Sequence, residues 1–314
     1  MKAAAACAIA ALAICDWLWA RHAGLTFGHW TQFAALTGLL LALGFFYGSI
    51  RRNAQQLADM ALWGALVAAF SLAAAIFTYL TATLAFPLVD SELARIDAGL
   101  GFSWPAWFQF VSSHRLLKVL FVIVYASLLP ECAASIIYFA HRRRSDRIAE
   151  FLWGALFSIL ITAPISGIVP ALGAFVHFGV PGPAEATYLP HLLALREGTT
   201  SSFSVNEFQG IITMPSYHTV LAILIIYIYR GCGRLFALAL VLNGVMLLSL
   251  LSEGGHYLID LIAGGAIAAV TIAIINAAAR TRWWRQLSGV NAMAHRSIAG
   301  QRTGGTGEKP GVSF

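Results

Sequence analysis

The chain has 314 residues, 59% of them hydrophobic and only 11% charged, with a formal net charge of +6. Soluble globular domains carry about 25% charged residues, so this composition excludes that class and points to a membrane protein. In such a chain Lys and Arg report mainly which side faces the cytoplasm, so the positive balance is not read as a nucleic-acid footprint. Cys7, Cys15, Cys132 and Cys232 lack metal-ligand spacing, and they are expected to be core thiols, neither bridged nor bound to zinc.

Apolar runs of about 20 residues, the length that crosses a bilayer as a helix, recur along the chain. The first covers residues 3–20. Asp16-Trp17-Leu18-Trp19 is a poor cleavage region, so this run is read as a retained span and not as a signal peptide. Asp16 is expected to contact a neighbouring helix or to lie at the interface. Spans two and three cover 27–50, ending at Arg51-Arg52, and 57–85. Residues 86–115 mix Asp90, Glu92 and Asp97 with Phe102, Trp104, Trp107, Phe108 and Phe110, which suits a segment in the headgroup zone.

The fourth span, 117–140, contains Pro130-Glu131, and the fifth, 151–178, contains Pro164 and Pro170 and should be kinked. After a long loop, 179–213, spans six to eight cover 215–230, 235–251 and 257–279. The expected fold is therefore an all-α polytopic bundle of about eight transmembrane helices. Residues 1–56 would hold two extra N-terminal helices, and 287–314, rich in Gly, Ser, Thr and basic residues, would form a disordered cytoplasmic tail.

With eight spans, fifteen of the 20 Lys and Arg fall on one side. The positive-inside rule makes that side cytoplasmic, with both termini on it. Residues 215 and 257, which begin spans six and eight, then open at the outer face, together with the 86–115 and 179–213 loops.

Two polar blocks sit at those openings: Met214-Pro215-Ser216-Tyr217-His218-Thr219 and Gly254-Gly255-His256-Tyr257-Leu258-Ile259-Asp260. His256 and Asp260 are four residues apart at a helix start and share a face. The Asp can accept Nδ1–H, fix the tautomer and leave Nε2 as a base or nucleophile. Ser216 is placed as an N-cap or anion contact, and free N–H groups at a helix start suit a phosphate. A single His at a span end is more often an interfacial residue than a catalyst. A His-x-x-x-Asp pair can also bind metal, but His114, His177 and His191 offer no ligand-like spacing, so no metal is expected. A transporter or scaffold is the competing class. Against it, the polar residues gather at one face, where a transporter would place them at mid-membrane.

Pro215-Ser216-Tyr217-His218 and His256-Tyr257-Leu258-Ile259-Asp260 resemble the second and third signature motifs of the type 2 phosphatidic acid phosphatase superfamily. The Pro-Ser-bulky-His form, with Leu192–Gly198 and the Leu100-Gly101-Phe102-Ser103-Trp104-Pro105 stretch, resembles bacterial members of the branch that contains inositol phosphorylceramide synthase. The resemblance spans residues 57–280, and the catalytic membrane domain is expected over 57–286, with a six-helix core. It implies a lipid phosphatase or phosphotransferase at the outer face of a bacterial inner membrane, acting on a lipid phosphate without a cofactor. His256 would take the phosphoryl group and Asp260 would orient it. His218 would act as acid and then base, and Ser216 would hold the phosphate. Tyr217 stands where the commoner form has glycine, and Leu250 where it has arginine. The phosphate-binding cations are therefore expected elsewhere, with Arg196 first and Arg115 and Lys118 behind it.

Overall fold

The computed structural model describes residues 1–50, 54–180 and 187–280. The Arg51-Arg52 stop and the C-terminal tail expected to be disordered lie outside the described residues. The chain is an all-α polytopic bundle, 77% helical. Six helices among the described residues are long and apolar enough to cross a membrane, or seven if one bent pair is a single span. The molecule is an integral membrane protein.

The N-terminal part holds α1 (Lys2–His22), a short strand β1 (Thr26–Gly28) and α2 (Thr31–Phe45), which runs on through a π-helical turn to Ile50. The long α3 (Gln55–Ala82) receives both helices on its surface. Next come α4 (Asp90–Gly99), α5 (Trp104–Ser113) and α6 (Arg115–Ala126). The segment expected to lie in the headgroup zone is thus two helices, and α5 meets α6 at a bend of 108°.

α7 (Leu128–His141) follows α6 after one residue, so the fourth expected span is two helices joined at Ser127. Pro130 is the cause: it has no N–H to donate, and its ring clashes with the carbonyl four residues back, Ala126, where α6 stops. The fifth expected span is also shorter than 151–178. Its helix, α8 (Ser145–Ile168), runs through Pro164 and ends one residue before Val169, whose helical conformation is disfavoured by the following Pro170. α8 is the most buried helix and packs against α3, α7, α11 and α13.

A four-residue turn, α9 (Ala174–His177), leads toward α10 (Leu189–Glu197) and strand β2 (Ser202–Ser204). β2 pairs in parallel with β1, Thr26 opposite Ser202 and Gly28 opposite Ser204. The last three helices are α11 (Tyr217–Ile228), α12 (Arg234–Ser252) and α13 (Leu258–Arg280). At 1.5 Å per residue the 12-residue α11 is about 18 Å long, short of the ~30 Å hydrocarbon core. The sixth expected span, 215–230, is thus a short helix, and the fourth, 117–140, is two helices. The other end of α11 is held to α8 by an ion pair, Arg230 Nη2 to Glu150 Oε1 at 2.6 Å.

Two carboxylates of α4 position the end of the bundle where α11 and α13 begin. Asp97 accepts from the Leu258 and Ile259 amides at 2.8 and 2.9 Å, capping α13 from another helix. Asp90 accepts from the Leu172 and Gly173 amides, both at 2.9 Å, and from the Tyr257 hydroxyl at 3.0 Å. These are the free N–H groups that a helix start and a tight loop leave behind, now satisfied by charged acceptors.

The thiol and Asp16 expectations need correction. Cys7 and Cys15 face outward from α1, while Cys132 and Cys232 are half-buried, and all four are free. Asp16 is only 2% exposed, and among the described residues neither carboxyl oxygen has a hydrogen-bond partner, so the expected polar contact to a neighbouring helix is not made.

Asp97→Ala leaves two helix-start amides without acceptors. The expected loss is at least about 2 kcal/mol in unfolding measured in detergent, with Asp97→Asn in between because it keeps one carbonyl oxygen. A loss below about 0.5 kcal/mol, the scale of an ordinary surface change, would show that α13 does not depend on this cap.

Candidate active site

The first polar block opens α11. Ser216 is its N-cap: the backbone is extended, and Oγ accepts from the Thr219 amide at 3.3 Å. The Met214–Pro215 peptide is cis. Tyr217, which stands where the commoner motif has glycine, donates its hydroxyl to the Ala155 carbonyl at 3.0 Å and so ties the start of α11 to α8.

The second block is a turn between α12 and α13. The Gly254 and His256 amides both donate to the Leu250 carbonyl, at 3.1 and 3.3 Å. Leu250, which replaces the arginine of the commoner pattern, is fully buried and shapes this turn through its backbone. Gly255 has φ +64°, and a side chain there would collide with the Phe175 ring, so glycine is required on both counts. Its carbonyl accepts from the Ala174 amide at 2.8 Å.

The two blocks meet. Ser216 Oγ lies 3.4 Å from His256 Nε2, and the Ser216 amide donates to the Asp260 carbonyl at 3.1 Å. On the other edge of the ring, His256 Nδ1 is 3.3 Å from Asp260 Oδ2, which also accepts from the Tyr257 amide at 2.8 Å. The His218 and His256 ring centroids are 6.2 Å apart. A glycine permits the approach: a Cβ on Gly264 of α13 would lie 2.5 Å from the Ser216 carbonyl oxygen.

His256, Asp260 and Ser216 are buried, whereas His218 is half-buried. Burial pushes the His256 imidazole down to about 4, opposed by a hydrogen bond to the Thr213 backbone. The ring is therefore neutral near pH 7, with a lone pair available for attack. Among the described residues Asp260 Oδ1 has no hydrogen-bond partner.

The candidate cations are distributed unevenly. Lys118 is half-buried on α6 and within electrostatic reach of Glu253, the residue that closes α12. Burial raises the Glu253 carboxyl, and Lys118 opposes the rise. Arg196 donates to the Phe86 carbonyl at 2.8 Å and feels the Asp90 carboxylate, so it lies on the α4 side of the site. Arg115 opens α6 and is exposed. Among the described residues no three His, Cys, Asp or Glu side chains converge as a metal site.

Sequence reasoning missed several supporting residues. Tyr125 stacks on His218, centroids 5.5 Å apart and planes at 16°, and lies 3.2 Å from the Cβ position of Gly254. Nothing in the α6 pattern marked it. Asp90 and Asp97 did carry a signal, because a spacing of seven puts two carboxylates on one face of a helix.

No curated protein and no solved structure matches the sequence. Residues 91–274 match the PAP2 superfamily. That match covers more than half of the chain and includes both polar blocks, on the site built by Ser216, His218, His256 and Asp260; the chain belongs to the PAP2 superfamily, a membrane protein of phosphatase type.

Proposed function

We propose that the protein transfers the phosphoryl group of a lipid phosphoester to water or to an alcohol, through a phosphohistidine at His256. The observation that carries this reading is the pairing of His256: Asp260 on Nδ1 and Ser216, the cap of a helix start, on Nε2. An imidazole held in this way keeps Nδ1–H toward the carboxylate and presents Nε2 to a phosphorus atom.

In the first step Nε2 attacks phosphorus, the P–O bond to the leaving group breaks, and His218 supplies the proton that the leaving oxygen takes. In the second step water or an alcohol attacks phosphorus while His218 accepts its proton, and the N–P bond breaks. Ser216 and the free amides at the start of α11 hold the phosphoryl oxygens, where the helix adds partial positive charge. Phosphoryl transfer of this kind rests mostly on positioning and charge stabilisation. Lys118 is the better-placed side-chain cation, with Arg196 supplying charge from the α4 side and Arg115 farther out. The likeness of the Pro-Ser-Tyr-His and His-Tyr-Leu-Ile-Asp forms to the inositol phosphorylceramide synthase branch supports an alcohol acceptor. The charge asymmetry supports a site on the outer face, with both termini cytoplasmic.

Purified protein offered a panel of lipid phosphates and lipid pyrophosphates, in EDTA, releases phosphate or forms a new phosphodiester with an added alcohol. Activity abolished by EDTA would overturn the proposed metal-free route. His256→Ala lowers turnover by more than about a thousand-fold while the protein stays folded, and no acid-labile phosphoenzyme can be trapped from it. His218→Ala lowers turnover by about a hundred- to ten-thousand-fold, the range for a lost general acid–base.

The pH dependence follows from the buried imidazole. His256 reacts as the neutral base, and its folded value lies below the ordinary 6.5, so the reactive form persists as pH falls from 7 and is lost only near about 4. The acid limb of phosphoenzyme formation should therefore lie well below pH 6. A limb at the ordinary histidine value would show that the ring is solvated in the working enzyme.

A further inference from the structure

His256 is oriented through both ring nitrogens, by Asp260 on one edge and Ser216 on the other. His218 is not. Among the described residues neither of its nitrogens makes a hydrogen bond. Its ring neighbours are His256, with centroids 6.2 Å apart and planes at 60°, and Tyr125 of α6, at 5.5 Å and 16°. The nitrogens of an imidazole lie in the plane of the ring, and the torsion that turns this plane is broad in itself. A neighbour has to fix the plane. A third group commonly does so by a hydrogen bond to the base, but at His218 the described chain offers a parallel aromatic face instead.

We propose that Tyr125 is the positioning residue for His218: its ring face holds the imidazole plane and so aims the nitrogen that gives a proton to the leaving oxygen. Tyr125 acts only through the acid–base role proposed for His218, on which this assignment rests, and takes no part in the bonds that form and break.

The surroundings of Tyr125 keep it still. It is the last residue but one of α6, and Ser127 closes that helix by donating both its amide and its hydroxyl to the Val124 carbonyl, at 3.0 and 2.6 Å. One turn earlier Phe121 is buried and stacks on Trp107 of α5. An edge of the Tyr125 ring meets the turn that carries His256. Tyr125 Cε2 lies 3.2 Å from where a Cβ on Gly254 would stand, and His256 Cδ2 lies 2.9 Å from the same point. The tyrosine ring is thus wedged between His218 and the α12–α13 turn, and glycine at 254 leaves the room for it. A tyrosine that only filled a core would be buried with its hydroxyl bonded. Tyr125 is half-buried, and its hydroxyl makes no hydrogen bond to the described residues. The ring, and not the hydroxyl, is the engaged part.

The test reads release of the leaving group in a single turnover, by the full-length protein in detergent, from two probes: dodecyl phosphate and a nitrophenyl phosphate carrying the same dodecyl chain. An alkoxide has to be protonated as it leaves, whereas a nitrophenolate leaves without a proton, so a misaimed acid slows the first probe alone. Tyr125→Leu should slow release from dodecyl phosphate by about ten- to a hundred-fold, the cost of a small misplacement, and from the nitrophenyl probe by less than about three-fold. Tyr125→Phe, which keeps the ring face, should stay within about two-fold of wild type on both. Tyr125→Met fills the space without a ring; it should repeat the leucine pattern, and it decides the matter if Tyr125→Leu does not fold. Equal slowing of both probes would make Tyr125 a packing residue and overturn the proposal. So would a Tyr125→Phe protein as slow as Tyr125→Leu, or no slowing at all. His218→Ala separates the two levels, since it should show the same selective loss on the alkyl probe. If it slows both probes alike, or if the wild type releases neither leaving group, the proposed function falls and this assignment falls with it.

Discussion

Five donors from the chain converge on two carboxylates of one ten-residue helix, and the placement of His256 depends on them. Asp97 takes the first two amides of α13, and Asp90 takes the Leu172 and Gly173 amides together with the Tyr257 hydroxyl. Hydrogen bonds to charged acceptors are worth about 1.5–3 kcal/mol each, so this set outweighs any single contact made by the histidines themselves. Tyr257 adjoins His256, and Ala174, next to the Gly173 loop, donates to the Gly255 carbonyl. The turn that carries His256 is thereby gripped from both sides before its ring meets Asp260 or Ser216. The His256 ring can be buried because its backbone is held by groups other than Ser216 and Asp260.

Much of this was legible in the sequence, for a physical reason. Polar residues at the mouth of an apolar helix are costly, so Ser216, His218, His256 and Asp260 stood out, and the four-residue spacing of His256 and Asp260 put both on one helical face. Apolar run length gave the membrane class and the positions of most long helices. It could not give the break at Ser127 or the early end of α8, because hydropathy is blind to the missing amide of Pro130 and to the restriction that Pro170 places on Val169. The α4 carboxylates were visible as two charges seven residues apart in a polar stretch, but what they hold was not. Their role depends on backbone amides at 172, 173, 258 and 259, which have no signature in side-chain chemistry. Asp16 was misread for the complementary reason: nothing in a sequence tells a satisfied buried carboxyl from an unsatisfied one.

The departures from the commoner motif find compensations in the structure. Tyr217 uses the volume that a glycine would leave empty to bond α11 to the Ala155 carbonyl, and Leu250 turns its carbonyl toward the Gly254 and His256 amides. Neither position is vacant for a phosphate-binding side chain. In the proposed reaction the positive charge comes from α6 and α10, and on α6 it stands beside an acidic residue, since Glu253 lies within electrostatic reach of Lys118. A site mouth that pairs a cation with a carboxylate differs electrostatically from one lined by arginines alone. It is less attractive to a free dianion, and it can accept a hydrogen bond from a neutral or cationic headgroup.

The short parallel ladder between β1 and β2 has a consequence for how the chain can be divided. Thr26–Gly28 belongs to the connection between the first two helices, whereas Ser202–Ser204 leads through a 3-10 turn and Gln209 into Pro215 and the start of α11. The Gln209 amide is in turn held by the Tyr79 hydroxyl of α3 at 3.0 Å. The N-terminal hairpin is therefore no detachable anchor. It is a splint for the approach to Ser216, and a shortened chain beginning after residue 50 would lose the backbone partner that sets where that approach begins.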